Sequence, residues 1–300
     1  MSWTFLIGGK FVNQSKIILV FKHATSNLHP KDDETALADK DVEIGIIGGS
    51  GIYDSAMLEN VKETKVYTPF GQTSSLISVG YYKDKKTAFI PRHGPRHQIP
   101  PHKIPFRANI WALKELGVKR IIAPSAVGSL REDYKPGELV LIDQFIDRTS
   151  GRADTFYEGG QVCHVSAADP FCQELHGVLL KAARKLKIQI HEQGTYICIQ
   201  GPRFSTRAES KLFRSWGADV VGMTLYPEVI LAREVEICYA SISMVTDYDV
   251  WAEKPVSTSD ILATMSNNVN SFKKLIDEVV PQISKERICL CGDALKEALI

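Results

Sequence analysis

From residue 43 onward the chain repeats one local pattern. An unbroken apolar run ends in glycine or polar residues, and a stretch with helical spacing follows. The runs are "VEIGIIGGSGIYD", "TAFIPRHG" (87–94), "RIIAPSAVGSL" (120–130), "ELVLIDQFID" (138–147), "TYICIQGPRFST" (195–206), "ADVVGMT" (218–224) and "EICYASISMVTDYD" (236–249). Runs that do not alternate belong to strands buried on both faces. The helical stretches are 106–117, 170–187, 206–217, 226–236 and 257–283, with Gly117 and Gly217 standing where a helix stop is expected. The alternation predicts an α/β protein: one domain with a central, mostly parallel or mixed, twisted sheet flanked by helices. With 44% of 300 residues hydrophobic, the chain can bury the core that such a sheet needs.

Residues 1–41 break the pattern. "TSNLHPKDDETALADKD" (25–41) is too polar to bury enough surface to order itself. Residues 1–41 therefore read as a poorly ordered extension with one short strand at "KIILVF" (16–21). The domain follows over 42–284, and a tail over 285–300 carries "CLCG". No apolar run reaches the ~20 residues that span a bilayer, and the start lacks the pattern of a signal peptide. A cytoplasmic protein is the expectation. A formal net charge of +1 gives no global field to recruit nucleic acid or a membrane, so charge clusters act locally, on a small anion. Of the six cysteines, Cys163, Cys172, Cys198 and Cys238 are scattered singly, without the paired knuckles of a zinc framework. No metal is expected.

In open α/β sheets, ligands gather at the carboxyl ends of strands. There "GGSG" (48–51) offers backbone N–H groups and the Ser50 hydroxyl to an anion, or serves as a plain strand-to-turn junction. It is a poor dinucleotide fingerprint, because Asp54 stands where the third glycine belongs. "RHGPRHQIPPHKIPFRANIWALKELG" (92–117) puts Arg92 and His93 just after a strand, on backbone stiffened by prolines. Lys103 and Arg107 read as solvated or interfacial, while His97 and His102 stay open. "PSAVGS" (124–129) can close round the same anion. "GMT" (222–224) supplies a thioether and a hydroxyl, and "TDYD" (246–249) ends an apolar strand with two carboxylates. Anion loops with a carboxylate pair fit phosphate as a reactant and a nitrogenous leaving group. The lysine of a P-loop and a nucleophile elbow are both missing.

These stretches, with "TPFGQTS" (68–74), "GSLRE", "IDQFIDRT", "FYEGG", "ADPFC" and "GTYICIQGPRFSTRAES" in the same order, resemble the methylthioadenosine phosphorylases of the trimeric purine nucleoside phosphorylase superfamily over roughly 43–283. The resemblance implies phosphorolysis of 5′-methylthioadenosine to adenine and 5-methylthioribose-1-phosphate, with no cofactor because phosphate is a co-substrate. It implies phosphate against Ser50, Arg92, His93, Ser125, Ala126 and Thr224. Met223 would lie under the sugar, Phe204 against the base, Asp247 at N7 as the acid and Asp249 at the exocyclic amine. His164 would reach a neighbouring subunit's sugar, and Thr258 and Ile261 would line the alkylthio pocket. The tail resembles that of archaeal hyperthermophilic members, which implies a homotrimer or a homohexamer and a labile Cys289–Cys291 disulfide. Well-known relatives have asparagine where this chain has Gly222, and threonine where it has Ser125. The glycine implies looser selectivity, with adenosine also accepted. Two rivals are a broader phosphorylase of inosine and guanosine and a non-catalytic protein that binds adenine nucleosides. Asp247 and Asp249 speak against the first, since a 6-oxo group needs a donor.

Overall fold

The computed structural model describes residues 5–7, 10–12, 41–52, 55–252 and 258–300, with only the backbone at 5–7, 10–12, 258–260, 262 and 263. The chain divides into two units, Met1–Leu37 and Ala38–Ile300. In the first, β1 (Phe5–Ile7) and β2 (Lys10–Val12) pair antiparallel. The strand expected at 16–21 and the rest of the expected extension lie outside the described residues.

The second unit is built on one sheet. Its strands are β3 (Ile44–Gly48), β4 (Glu59–Thr64), β5 (Ile77–Tyr82), β6 (Lys85–Pro91), β7 (Arg120–Ser129) and β8 (Leu139–Leu141). They continue with β9 (Gln144–Arg148), β10 (Ile190–His191), β11 (Thr195–Ile199), β12 (Val220–Gly222) and β13 (Cys238–Asp247). The helices are α1 (Phe106–Glu115), α2 (Gln173–Leu186), α3 (Arg207–Ser215), α4 (Leu225–Glu234) and α5 (Thr258–Val279). The sheet order is β10-β8-β13-β7-β3-β6-β5-β4, and β12 branches from β7 to carry β11 and β9. β6, β3, β7 and β13 run parallel side by side, so their carboxyl ends open on one edge. The mixed α/β sheet flanked by helices is the expected fold.

The buried runs sit where their composition requires. Ile121, Ile122, Ile242 and Met244 at the centre of the parallel pair are 0% exposed. Each such side chain contributes about 1.5–3 kcal/mol of burial. α1 lays Phe106, Ile110 and Leu113 on one face against Ile47, Ala88, Ile90 and Ile121. Its buried Asn109 accepts from the Ser74 N–H at 2.8 Å, and Ser74 Oγ donates to Pro91 O at 2.8 Å. That pins the loop around "TPFGQTS" to the strand end before Arg92. Thr206 and Glu209 of "STRAES" close a reciprocal capping box at the start of α3.

One expectation changes. The run at 138–147 splits into β8 and β9 because the backbone changes partners there, Ile142 N donating to Ser241 O and Asp143 N to Gly194 O. The tail packs within the second unit: Ile288 N donates to Glu174 Oε2, and Val162 and Ile300 exchange backbone bonds. β4, with a largely exposed "ENVKET", carries no apolar signal because it is a charged edge strand.

Candidate active site

One cavity of about 430 Å³ opens at the carboxyl ends of the parallel strands. Its walls bring together Ser50, Arg92, His93, Ser125, Ala126, Phe204, Met223, Thr224, Asp247, Asp249 and Ile261 from the sequence-derived set. His164 is exposed outside this cavity, with its backbone N–H on Ala298 O. The side chain of Thr258 lies outside the described residues.

β7 acts as a ruler across the cavity. Near one end, Arg92 Nη1 donates to Pro124 O at 3.0 Å, beside Ser125. Near the other, a β-carbon on Gly128 would stand 3.0 Å from Asp247 Oδ1 and 3.2 Å from Asp249 Cβ, so a side chain there would push the acids back by a few tenths of an ångström. Ser125 and Gly128 are three residues apart, about 10 Å along a strand. That separation suits an anion at one end and a flat base at the other.

The anion end departs from expectation. Arg92 is 1% exposed and not a free cation. Its Nε and Nη2 each donate to Glu228 at 2.7 Å, and Tyr239 Oη donates to Glu228 Oε1 at 2.7 Å. Three of the guanidinium's five N–H groups are occupied this way, which leaves two for a ligand. Burial opposes the charge, but Glu228 more than offsets it and holds Arg92 above the ordinary arginine range. His93 donates from Nδ1 to Ile99 O at 2.8 Å, since a carbonyl can only accept. Burial pushes its pKa down to about 4. At neutral pH it is uncharged, with Nε2 as an acceptor rather than the second donor expected. His97 stacks on it at 4.2 Å between centroids and also lines the cavity. His102 does not line it, and Arg107 pairs with Glu158. The Ser125 hydroxyl is buried without a hydrogen-bond partner, so it is open to a ligand.

At the acid end, Asp247 Oδ1 accepts from the Asp249 N–H at 2.8 Å. Burial raises both carboxyl pKa values. The Thr246 hydroxyl, with one proton, faces Val127 O at 3.1 Å and Asp247 Oδ2 at 2.7 Å. When that proton goes to Val127 O, Oδ2 can hold a proton of its own. Asp249 adopts φ 50°, unusual for a residue with a β-carbon, and its Oδ2 is buried without a partner.

Glu228, Tyr239 and Tyr196 are absent from the sequence-derived set. The one available signal was Glu228 itself, an acid inside "PEVILA". Tyr196 explains Gly222: a β-carbon there would lie 1.9 Å from Tyr196 Oη, which accepts from Thr224 N at 3.3 Å. The space that a side chain at 222 would take is thus filled by a buried phenol. Gly222→Ala should destabilise the fold by about 3 kcal/mol, measured by chemical denaturation, because the phenol cannot retreat without repacking.

The expected Cys289–Cys291 bridge is not formed, and all six cysteines are free thiols. The scatter along the chain is deceptive, since the sulfurs of Cys172, Cys238, Cys289 and Cys291 all lie within 4.8 Å of one another.

Residues 43–281 match the family model of the Phosphorylase superfamily. An S-methyl-5′-thioadenosine phosphorylase of Thermofilum pendens is 61% identical, covering 86% of this chain and 99% of its own. One of Nitrosopumilus maritimus is 58% identical, covering 87% and 99%. A crystal structure of methylthioadenosine phosphorylase from an antarctic soil metagenomic library superposes with TM-score 0.82 at 43% identity, covering 87% and 93%. The Schistosoma mansoni enzyme in complex with adenine gives 0.81 at 39%, covering 85% and 96%. The chain belongs to the S-methyl-5′-thioadenosine phosphorylase family of the phosphorylase superfamily.

Proposed function

We infer that the chain is a pentosyltransferase that cleaves the N-glycosidic bond of 5′-methylthioadenosine with inorganic phosphate. The products are adenine and 5-methylthioribose-1-phosphate. The observation that carries this reading is the single cavity with unpartnered donors at one end and raised carboxyls at the other.

Phosphate lies against Ser50, Arg92, Ser125, the backbone at Ala126 and Thr224, and its hydroxyl donates to His93 Nε2. With Arg92 matched by Glu228 and His93 neutral, the lining holds little net positive charge. The strongest countercharge for the anion is then the ribosyl cation that forms as the bond breaks. The attraction grows toward the transition state, which is what accelerates a reaction. Met223 supports the sugar, Phe204 covers the base and Ile261 lines the apolar side. Asp247 delivers the proton that neutralises purine N7. Asp249 Oδ2 accepts from the exocyclic amine. His164, exposed on the chain surface, reaches the sugar of a neighbouring copy in a homotrimer or homohexamer. No cofactor takes part. Among the described residues no helix is long and apolar enough to cross a membrane.

Incubation with methylthioadenosine should release adenine only when phosphate is present. Equal release without phosphate would instead make the chain a hydrolase. Because Asp249 accepts and cannot donate when ionised, adenosine should exceed inosine in kcat/KM by roughly a hundredfold. Asp249→Asn should narrow that gap, and equal wild-type values for the two nucleosides would remove Asp249 from its role.

A further inference from the structure

We propose that Cys172, Cys238, Cys289 and Cys291 form a structural site for a zinc ion that fastens the carboxyl-terminal tail to the body of the chain. The residues come from three places. Cys172 caps the start of α2, Cys238 opens β13, and Cys289 and Cys291 lie in the tail. Their sulfurs lie within 4.8 Å of one another, with Cys238 and Cys289 at 3.3 Å. A tetrahedral zinc with bonds of about 2.3 Å sets its sulfurs about 3.8 Å apart. The observed spacing brackets that value and requires only small side-chain rotations.

The surroundings suit thiolates. Leu175 N donates to Cys172 Sγ at 3.5 Å, at the positive end of α2. Arg287 lies against Gly292 and donates to Glu236 O at 2.7 Å, and Arg120, 2% exposed, holds Glu174 at 2.8 Å. These cations flank a site that carries two negative charges once formed. The cluster packs against Leu175, Leu179 and Ala240, with Cys172 and Cys238 buried and Cys289 and Cys291 half-buried. Binding replaces four S–H protons by one Zn²⁺ and releases those protons to solvent. The tail beyond the cluster pairs with 162–164, so the same fastening supports the segment that bears His164.

The test uses the full chain purified without chelator and without added metal. Elemental analysis should find about one zinc per chain. Cys289→Ser/Cys291→Ser should lose it, while Cys163→Ser should keep it. Cobalt in place of zinc should give the visible and sulfur-to-metal bands of a tetrahedral four-thiolate site. Removing zinc with a chelator should speed proteolytic release of the tail at least tenfold. Intact mass after alkylation under non-reducing conditions reads the alternative directly. A Cys172–Cys238 or Cys289–Cys291 bridge, four freely alkylated thiols without metal, or iron in place of zinc would overturn the proposal. So would full zinc content in the double variant. If that variant fails to fold, the zinc content and alkylation of the unaltered chain still decide.

Discussion

Asp247→Asn should lower kcat by about 10²–10⁴-fold, the range lost when a positioned proton donor is removed. The amide keeps the shape and can still meet N7, but has no proton to give. The KM for phosphate should stay close to wild type, because the phosphate donors line the opposite part of the cavity. The pH profile adds a sign. Burial raises the Asp247 pKa, so the protonated form persists to higher pH than in an exposed aspartate. Wild-type kcat/KM should therefore fall as pH rises through that raised value, and the variant should lose this limb. Steady-state adenine release across pH reads both effects. Turnover close to wild type in the variant would end the acid assignment.

The second large effect lies at a residue with no contact to the purine. Glu228, 0% exposed, is the partner that keeps Arg92 neutralised. Glu228→Ala removes one half of a buried ion pair and should cost about 3–5 kcal/mol of stability, read from denaturant unfolding. Glu228→Gln keeps the volume but frees the guanidinium charge. Ground-state phosphate should then bind more tightly, while the ribosyl cation ceases to be the main countercharge. Phosphate KM and kcat should both fall. A rise in phosphate KM with kcat unchanged would mean that Glu228 only orients Arg92. The same pair recasts Arg92 itself, since reversing its charge would bury two acids together and unfold the region before it could report on phosphate.

Much of the site could be read before the fold was seen, for a physical reason. Parallel strands buried on both faces must be apolar along their length, so residues that break that rule stand out at their ends. Arg92, His93, Ser125, Asp247 and Asp249 all break it, and all line one cavity. The protonation state of His93 could not be read this way. It depends on Ile99 O, six residues on, and on burial that only the closed turn creates. Glu228 was hidden for a similar reason. An acid in a helix usually faces water, and only packing against Arg92 and Tyr239 makes it part of the site.

By itself the sequence determined the alternation of the central strands with the helices, the edge where ligand chemistry collects and the family resemblance. Each of these rests on local apolar runs and short motifs, whose meaning survives without neighbours. The tertiary structure alone decided that Arg92 is neutralised, that Gly222 yields its space to Tyr196, and that four distant cysteines meet. Arg92 and Glu228 are 136 positions apart, Tyr196 and Gly222 are 26 apart, and the cysteines come from three places between 172 and 291; no local pattern encodes which distant groups will share a buried volume.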